Sequence, residues 1–173
     1  MTDHASGERY FLYHSIGQYA GKSADLAAAM AEFAGVWGKP DDQQWPYALG
    51  KRQDFINRWR TILNAPDGTL TTTESVTASL SALIGALPSD LLRGRKILVA
   101  GDCFPSVHFL LTGLQERLGF SLQTVPLRQG ASWAEDEDIT SAWGPDVALA
   151  LLTWISSTSS HRSDIETLVA HGR

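Results

Sequence analysis

The stretch that decides the fold is residues 95–106, which read RKILVAGDCFPS. Within it, residues 96–100 form a compact apolar run of strand length, and Gly101 ends this run. A short continuous apolar run that stops at a turn residue is typical of a strand buried on both faces, as in a parallel sheet. We therefore predict a strand at 96–100 and a loop at its carboxyl end.

Strand and helix patterns alternate after this stretch. Residues 107–118 carry apolar side chains at helical spacing, residues 120–127 alternate as a strand does, and residues 147–155 form the most apolar run of the chain. Ser163, with Glu166 three residues later, matches the capping box of a last helix. The alternation predicts an α/β fold with an incomplete, mainly parallel sheet and covering helices.

The chain before this stretch has a different pattern. A short Thr-rich β-type run at 70–73 and an apolar helix from Val76 precede the strand. Everything earlier is helical in pattern, and Ser23 is the predicted N-cap of the first helix. The predicted domains are therefore a helical N-terminal arm, residues 1–66, and the first part of an α/β domain, residues 67–173.

Composition and charge exclude several classes of function. Among 173 residues, 19 are acidic and 14 are basic, so the formal net charge is −5, and Lys and Arg form no block. Nucleic acid is not an expected partner, because phosphate-backbone binding needs a concentrated basic face. No apolar run approaches the roughly 20 residues that cross a bilayer, so we expect no membrane partner and a soluble, cytoplasmic protein.

Residue types that bind metals or attack substrates are sparse. The five histidines show no metal-ligand spacing, so no metal site is predicted. The one cysteine, Cys103, excludes an internal disulfide and is more often a packed residue than a nucleophile. Dinucleotide-binding, P-loop and nucleophile-elbow patterns do not occur. The sequence therefore assigns no catalytic residue.

Ligands of parallel sheets bind at the carboxyl ends of the strands, and this rule points to residues 75–79, 101–107 and 153–161. In the first segment, hydroxyl residues run into an apolar helix, and free amides at a helix start suit a phosphate, although an ordinary capped helix explains the same pattern. In the second, Phe104 suits either the core or the face of a flat cofactor, and Ser106 is either a helix cap or a binding residue.

Taken in order, these segments resemble the first part of kynureninase and its relatives in the class V aminotransferase group, which are pyridoxal-phosphate enzymes of fold type I. Residues 10–17 (YFLYHSIG) resemble the opening strand and the Asn-Ser-Leu-Gly turn of that family. Residues 75–80 (SVTASL) resemble its phosphate-binding helix start. Residues 95–108 resemble the strand and loop that carry its ring-stacking phenylalanine, and residues 147–166 resemble the next strand, loop and helix.

The resemblance implies pyridoxal 5′-phosphate as the cofactor. Val76 and Thr77 are implied to bind its phosphate through backbone amides and a hydroxyl, and Phe104 is implied to stack on its ring. The remaining implied positions line the cofactor loop or border the substrate pocket: Ser106, Val107 and Thr153 for the cofactor, and Ser15 for the substrate.

Two positions depart from the family pattern. Val107 stands where kynureninases have an aspartate, and His14 stands where they have an asparagine. Both departures favour a shift from kynurenine hydrolysis toward another class V reaction, of the aminotransferase, desulfurase or epimerase type.

The family also uses a lysine that holds the cofactor covalently and an acid that pairs with the pyridine nitrogen, and both lie beyond the matched segments. None of the four lysines lies in a matching motif, and Lys96 is expected at the opposite end of the sheet because it opens a strand. The resemblance therefore implies a truncated kynureninase-like hydrolase of tryptophan catabolism that is inactive alone. Its implied partners are a small amino acid substrate and either a second copy, as a homodimer, or a complementing second-half chain. A non-catalytic interaction module, which pairs through an exposed sheet edge and the helical arm, is the alternative.

Overall fold

The computed structural model describes residues 10, 11, 13 and 15–172. These residues form two compact units, one that ends at Thr72 and one that begins at Thr73. The elements, in chain order, are α1 (Lys22–Trp37), α2 (Gln44–Leu63), α3 (Val76–Gly85), α4 (Ser89–Leu92), β1 (Lys96–Ala100), α5 (Pro105–Leu118), β2 (Ser121–Val125), α6 (Asp136–Ala142), β3 (Val147–Leu151) and α7 (Ile165–His171). In the described part of the chain, no helix combines the length and the hydrophobicity that a bilayer crossing requires.

The first unit contains α1 and α2. The N-cap of α1 is Gly21, in the left-handed conformation at φ 89°, so the prediction of Ser23 as the cap was wrong. A glycine takes that conformation without a Cβ penalty, and the helix therefore begins before the serine. Near the loop between the helices, the Lys51 ammonium bonds the Glu32 carboxylate at 2.9 Å. Ile56 is the one residue of these two helices that is buried.

The predicted strand at 70–73 is absent. The hydroxyls of Thr71 and Thr72 instead accept hydrogen bonds from the Arg52 guanidinium of α2, at 2.9 and 2.7 Å. Threonine favours strands because its side chain packs on a pleated surface, and that preference has no effect where no strand is available to pair with.

The second unit is built on a sheet of three parallel strands in the order β2-β1-β3. In the central strand, Ile97 is 0% exposed, and Leu98 and Val99 are each 1% exposed. Side chains of a strand alternate, so Ile97 and Val99 pack with α3, α4 and α5 on one face, while Leu98 packs with α6 and α7 on the other. Two-sided burial explains the continuous apolar run, and the predicted α/β fold with covering helices is confirmed.

The third strand is shorter than its apolar run. β3 ends at Leu151, which is opposite Val99 in the last register pair with β1. Beyond that point Ile155 makes an isolated antiparallel bridge with Arg162, so the apolar residues after Leu151 belong to a loop. Within the described sheet β3 lies at an edge. Leu152 is half-buried, but Trp154 and Ile155 are exposed at 60% and 53%, so burial does not explain why the apolar run continues past the strand.

The last helix does not use the predicted capping box. α7 begins at Ile165, and the Asp164 carboxylate caps it by accepting the N–H of Thr167 at 3.1 Å. The N–H of Ser163 donates to the carbonyl of Trp154 instead, at 3.0 Å. Serine and aspartate are both good N-caps, and local sequence does not choose between two adjacent ones.

Candidate functional site

After the carboxyl ends of β1 and β3, the chain continues to opposite faces of the sheet. The chain passes from β1 into α5 on one face and from β3 into α7 on the other. Neighbouring parallel strands whose connections diverge in this way open a crevice between their carboxyl ends, and ligands of α/β proteins bind there. Phe104, just before α5, and Thr153, just after β3, both lie at this edge.

The start of α3 has the hydrogen-bonding groups of an anion site. Ser75 is the N-cap, and its hydroxyl accepts the N–H of Ala78 at 3.1 Å. The N–H groups of Val76 and Thr77 have no acceptor among the described residues. Two free amides at the positive end of a helix attract a phosphate. The two residues predicted to bind phosphate are therefore the ones whose amides are available.

The helix α3 packs on the same face of the sheet as α5, the helix that follows Phe104. Ile84 of α3 and Leu111 of α5 belong to one buried cluster. α3 leads through α4 into the amino end of β1, whereas Phe104 follows β1 at the carboxyl edge of the sheet. Phe104 is at that edge, and its side chain is 58% exposed. The exposed ring and the free amides therefore belong to the starts of two helices, α5 and α3, that pack in one cluster.

The other predicted cofactor residues lie beside Phe104 or across the crevice. Pro105 is the first residue of α5 and Phe104 is its N-cap, so Ser106 lies in the first turn and is not the cap. Val107 is half-buried and packs against the cluster around Ile97. Thr153 is exposed and lies just after β3.

The predicted substrate residue belongs to the first unit. Ser15 lies in a turn of that unit and is exposed. His14, the departure from the family pattern beside it, lies outside the described residues. A role for Ser15 stays a prediction.

Two loops near the carboxyl edge are joined by contacts that the sequence did not indicate. Asp102, directly after β1, accepts the N–H of Ala134 from the β2–α6 loop at 3.2 Å. In that same loop, the Trp133 ring stacks on the His161 imidazole, with centroids 4.7 Å apart and planes 6° apart. A polar residue after a buried strand was a signal for Asp102, and His161 closed a segment that the carboxyl-end rule selected. Trp133 carried no such signal.

Cys103 is packed rather than reactive. Its side chain contacts the cluster on the α5 face of the sheet. Burial raises the pKa of its thiol, and the nearby Asp102 carboxylate raises it further. A thiol that stays protonated is a poor nucleophile. Among the described residues, no group of three or more His, Cys, Asp or Glu side chains is placed to hold a metal ion.

The second unit has one lysine in its sequence, Lys96. It begins β1, at the amino edge of the sheet, where its ammonium bonds the Asp146 carboxylate at 2.6 Å. The one lysine side chain of this unit therefore lies at the edge of the sheet opposite Phe104 and Thr153.

A comparison with solved structures finds the same fold in C-DES, in a lysine-to-alanine mutant with glycine covalently linked to its PLP cofactor. The TM-score is 0.80 at 16% sequence identity, and the match covers 96% of this chain and 43% of that chain. The fold is shared with a pyridoxal-phosphate enzyme. A scan of protein-family models and a search of curated proteins found no match.

This likeness confirms the predicted fold, which corresponds to part of a fold-type-I pyridoxal-phosphate enzyme. At 16% identity it concerns the fold alone, and it does not single out kynureninase or the class V group. The chain spans less than half of the length of C-DES, so the activity, substrate and partners of a whole enzyme are matters of proposal.

Proposed function

We propose that the second unit binds pyridoxal 5′-phosphate and belongs to an enzyme of kynureninase type, which hydrolyses kynurenine-like amino acids in tryptophan catabolism. The observation that carries the proposal is the pair of free amides at Val76 and Thr77, which begin a helix on the same face of the sheet as α5, the helix that follows the exposed Phe104 ring. The fold shared with a PLP-containing enzyme supports the same cofactor.

Each residue in this proposal has a binding role. Bound pyridoxal phosphate supplies an electron sink for negative charge at the α-carbon of an amino acid. The amides of Val76 and Thr77 would hold the phosphate, and the Thr77 hydroxyl would add a further donor. Phe104 would stack on the ring, while Thr153 would donate a hydroxyl from the β3 side. No covalent step is assigned to these residues, because Lys96 lies at the amino edge.

A second class V reaction, of the aminotransferase, desulfurase or epimerase type, is favoured by one observation. Val107 packs into the core, so this position presents no charged group to the crevice.

The proposal extends to a homodimer or a complementing second-half chain, and to a cytoplasmic location. An interaction module without catalysis is the other candidate, and the free edge of β3 favours it.

Cofactor binding is tested by titrating pyridoxal phosphate into the purified chain and following ring absorbance and the ³¹P resonance. Val76→Pro removes one phosphate-facing amide, and proline is well tolerated at the first position of a helix. It should weaken binding at least about tenfold, since hydrogen bonds to charged groups contribute about 1.5–3 kcal/mol. Phe104→Ala should weaken binding several-fold through the lost ring contact.

The matched control is Phe109→Ala, because Phe109 is also an exposed ring on this part of the chain, at 75%, but lies within α5. It should leave the affinity unchanged. Borohydride should fix no cofactor to Lys96. The proposal fails if the chain shows no saturable binding, or if Val76→Pro and Phe104→Ala bind as the unaltered chain does. Self-association without cofactor binding would favour the interaction module.

A further inference from the structure

A small cavity with a mainly apolar lining and a few polar groups lies beneath the carboxyl edge, beside α6 and α7. Its volume is about 20 Å³, which is room for one water molecule by the usual threshold of about 10–15 Å³. Apolar side chains form part of its wall. The polar residues that line it are Asp102, Thr153, Ser156, His161 and Ser163.

The His161 ring is held in place at this cavity. One face stacks on Trp133 at 4.7 Å. The backbone on both sides is fixed, because the N–H of His161 donates to the Ser159 hydroxyl at 3.2 Å and its carbonyl accepts the N–H of Ser156 at 2.8 Å. The Nε2 atom is buried and has no hydrogen-bond partner among the described residues. The ring therefore presents an unpaired polar atom in a fixed direction.

Two features of this loop are unfavourable by themselves. A buried imidazole nitrogen without a partner loses its hydration. Ser160, the preceding residue, has a φ of 58°, in the left-handed region that favours glycine. A group bound in the cavity would give the imidazole nitrogen the partner that it lacks.

Asp102 and Thr153 offer the remaining contacts that such a group requires. One oxygen of the Asp102 carboxylate accepts the N–H of Ala134, and a carboxylate has further acceptor positions. The Thr153 hydroxyl is both a donor and an acceptor. A buried water makes about three hydrogen bonds to polar groups, and this cavity supplies that number.

We propose that His161 is a positioning residue: its Nε2 binds one ordered water in this cavity, and that water also bonds the Asp102 carboxylate. The water ties the β3–α7 loop to the end of β1, and it holds Thr153 in place beside the crevice. The consequence for Thr153 rests on the proposed function, whereas the water site does not.

The water site is tested first in a high-resolution crystal structure of the full chain without cofactor. We expect one ordered water within about 2.7–3.2 Å of both His161 Nε2 and the Asp102 carboxylate. An empty cavity, or a direct bond from Nε2 to another protein group, would overturn the inference. Neither result depends on whether pyridoxal phosphate binds.

A double-mutant cycle in urea unfolding gives a second test. His161→Phe keeps the stack on Trp133 and removes the nitrogen, and Asp102→Asn removes the charge. The effect of the double variant on the unfolding equilibrium constant should differ from the product of the two single effects by at least about threefold. The control is His171→Phe, because His171 contacts the edge of Trp143 and does not line the cavity. For this control, the effect of the double variant with Asp102→Asn on the unfolding equilibrium constant should equal the product of the two single effects.

A role limited to ring stacking predicts a different result. The effects of His161→Phe and Asp102→Asn on the unfolding equilibrium constant would then simply multiply, as they do for the control. That result would show that the inference is wrong. His161→Gln, which keeps a polar atom in reach of the cavity, should retain the coupling although it loses the stack; loss of the coupling in this variant would also contradict the proposal. If the unaltered chain binds pyridoxal phosphate, His161→Phe should weaken binding several-fold and His171→Phe should not.

Discussion

The two compact units have similar helical patterns and very different interiors. In the first unit, α1 has no buried residue and α2 has one, Ile56. In the second unit, the central strand is covered on both faces, and buried side chains from five helices pack on it. Apolar spacing predicts a helix in both units, but a pair of helices in loose contact provides no closed interior, whereas a sheet with helices on two faces provides two.

The largest difference is expected for the same substitution made in each unit. Ile97→Ala, in β1, deletes a side chain that is 0% exposed and should cost about 3–4 kcal/mol in the free energy of unfolding. Ile62→Ala, in α2, deletes one that is 70% exposed and should cost less than about 0.5 kcal/mol. Urea unfolding measures both, and equal costs would show that the first unit also has a core.

A second pair compares close packing with open space. A Cβ at Gly101 would lie 2.8 Å from the Val125 carbonyl oxygen and 2.8 Å from a methyl of Leu127. Gly101→Ala should therefore destabilise by about 1–3 kcal/mol. A Cβ at Gly35 in α1 meets nothing within 4 Å, so Gly35→Ala should stabilise the helix by about 0.5–1 kcal/mol. Thermal unfolding measures both, and midpoint temperatures that shift in the same direction for the two variants would contradict this comparison.

Within the part of the chain that the structure describes, each unit also has one non-glycine residue at positive φ. These are Asn64, at φ 49° after α2, and Ser160, at φ 58° in the β3–α7 loop. Ser160→Gly should stabilise by about 0.5–1 kcal/mol, because serine pays a steric penalty in this region. Asn64→Gly should gain less, since asparagine tolerates the left-handed conformation. A larger gain at Asn64 in the same unfolding assay would refute this ranking.

The smallest effect on stability is expected from the loss of an exposed ion pair, and this effect should be similar in the two units. The hydrogen bond from Lys96 lowers the pKa of Asp146, and the hydrogen bond from Lys51 lowers the pKa of Glu32. A carboxyl whose folded-state pKa is lowered stabilises the protein above its ordinary pKa of about 4, and this contribution disappears as the pH falls through the lowered value.

Asp146→Asn and Glu32→Gln should therefore destabilise slightly and similarly at pH 7, and neither should do so once the carboxyl groups of the unaltered chain are protonated. Unfolding measured from pH 7 to strongly acidic pH checks both. A clear cost that persists in acid would mean that packing, rather than charge, is lost.

Local sequence predicted the helices and strands well where one interaction dominates. The run at 96–100 is a strand, and the predicted helices after Val76 and at 107–118 are present as α3 and α5. Predictions failed where two local choices were similar in energy. Gly21 took the place of Ser23 as a cap, and Asp164 took the place of Ser163.

The candidate site divides in the same way. The free amides of Val76 and Thr77 were predictable, because they are a property of any helix start, and their role in binding phosphate stays a prediction. The stack of Trp133 on His161 was not, since it joins two loops separated by β3, and no local preference in either loop reports the other.

The sequence by itself determined that this chain forms an α/β unit with a buried central strand, because apolar periodicity and turn residues act over short distances along the chain. Only the tertiary structure decided which loops meet at the carboxyl edge, which polar atoms there remain unpaired, and that, among the described residues, the buried clusters lie in the second unit. Those outcomes depend on side chains far apart in sequence, whose contacts exist only after the sheet has brought the strand ends together.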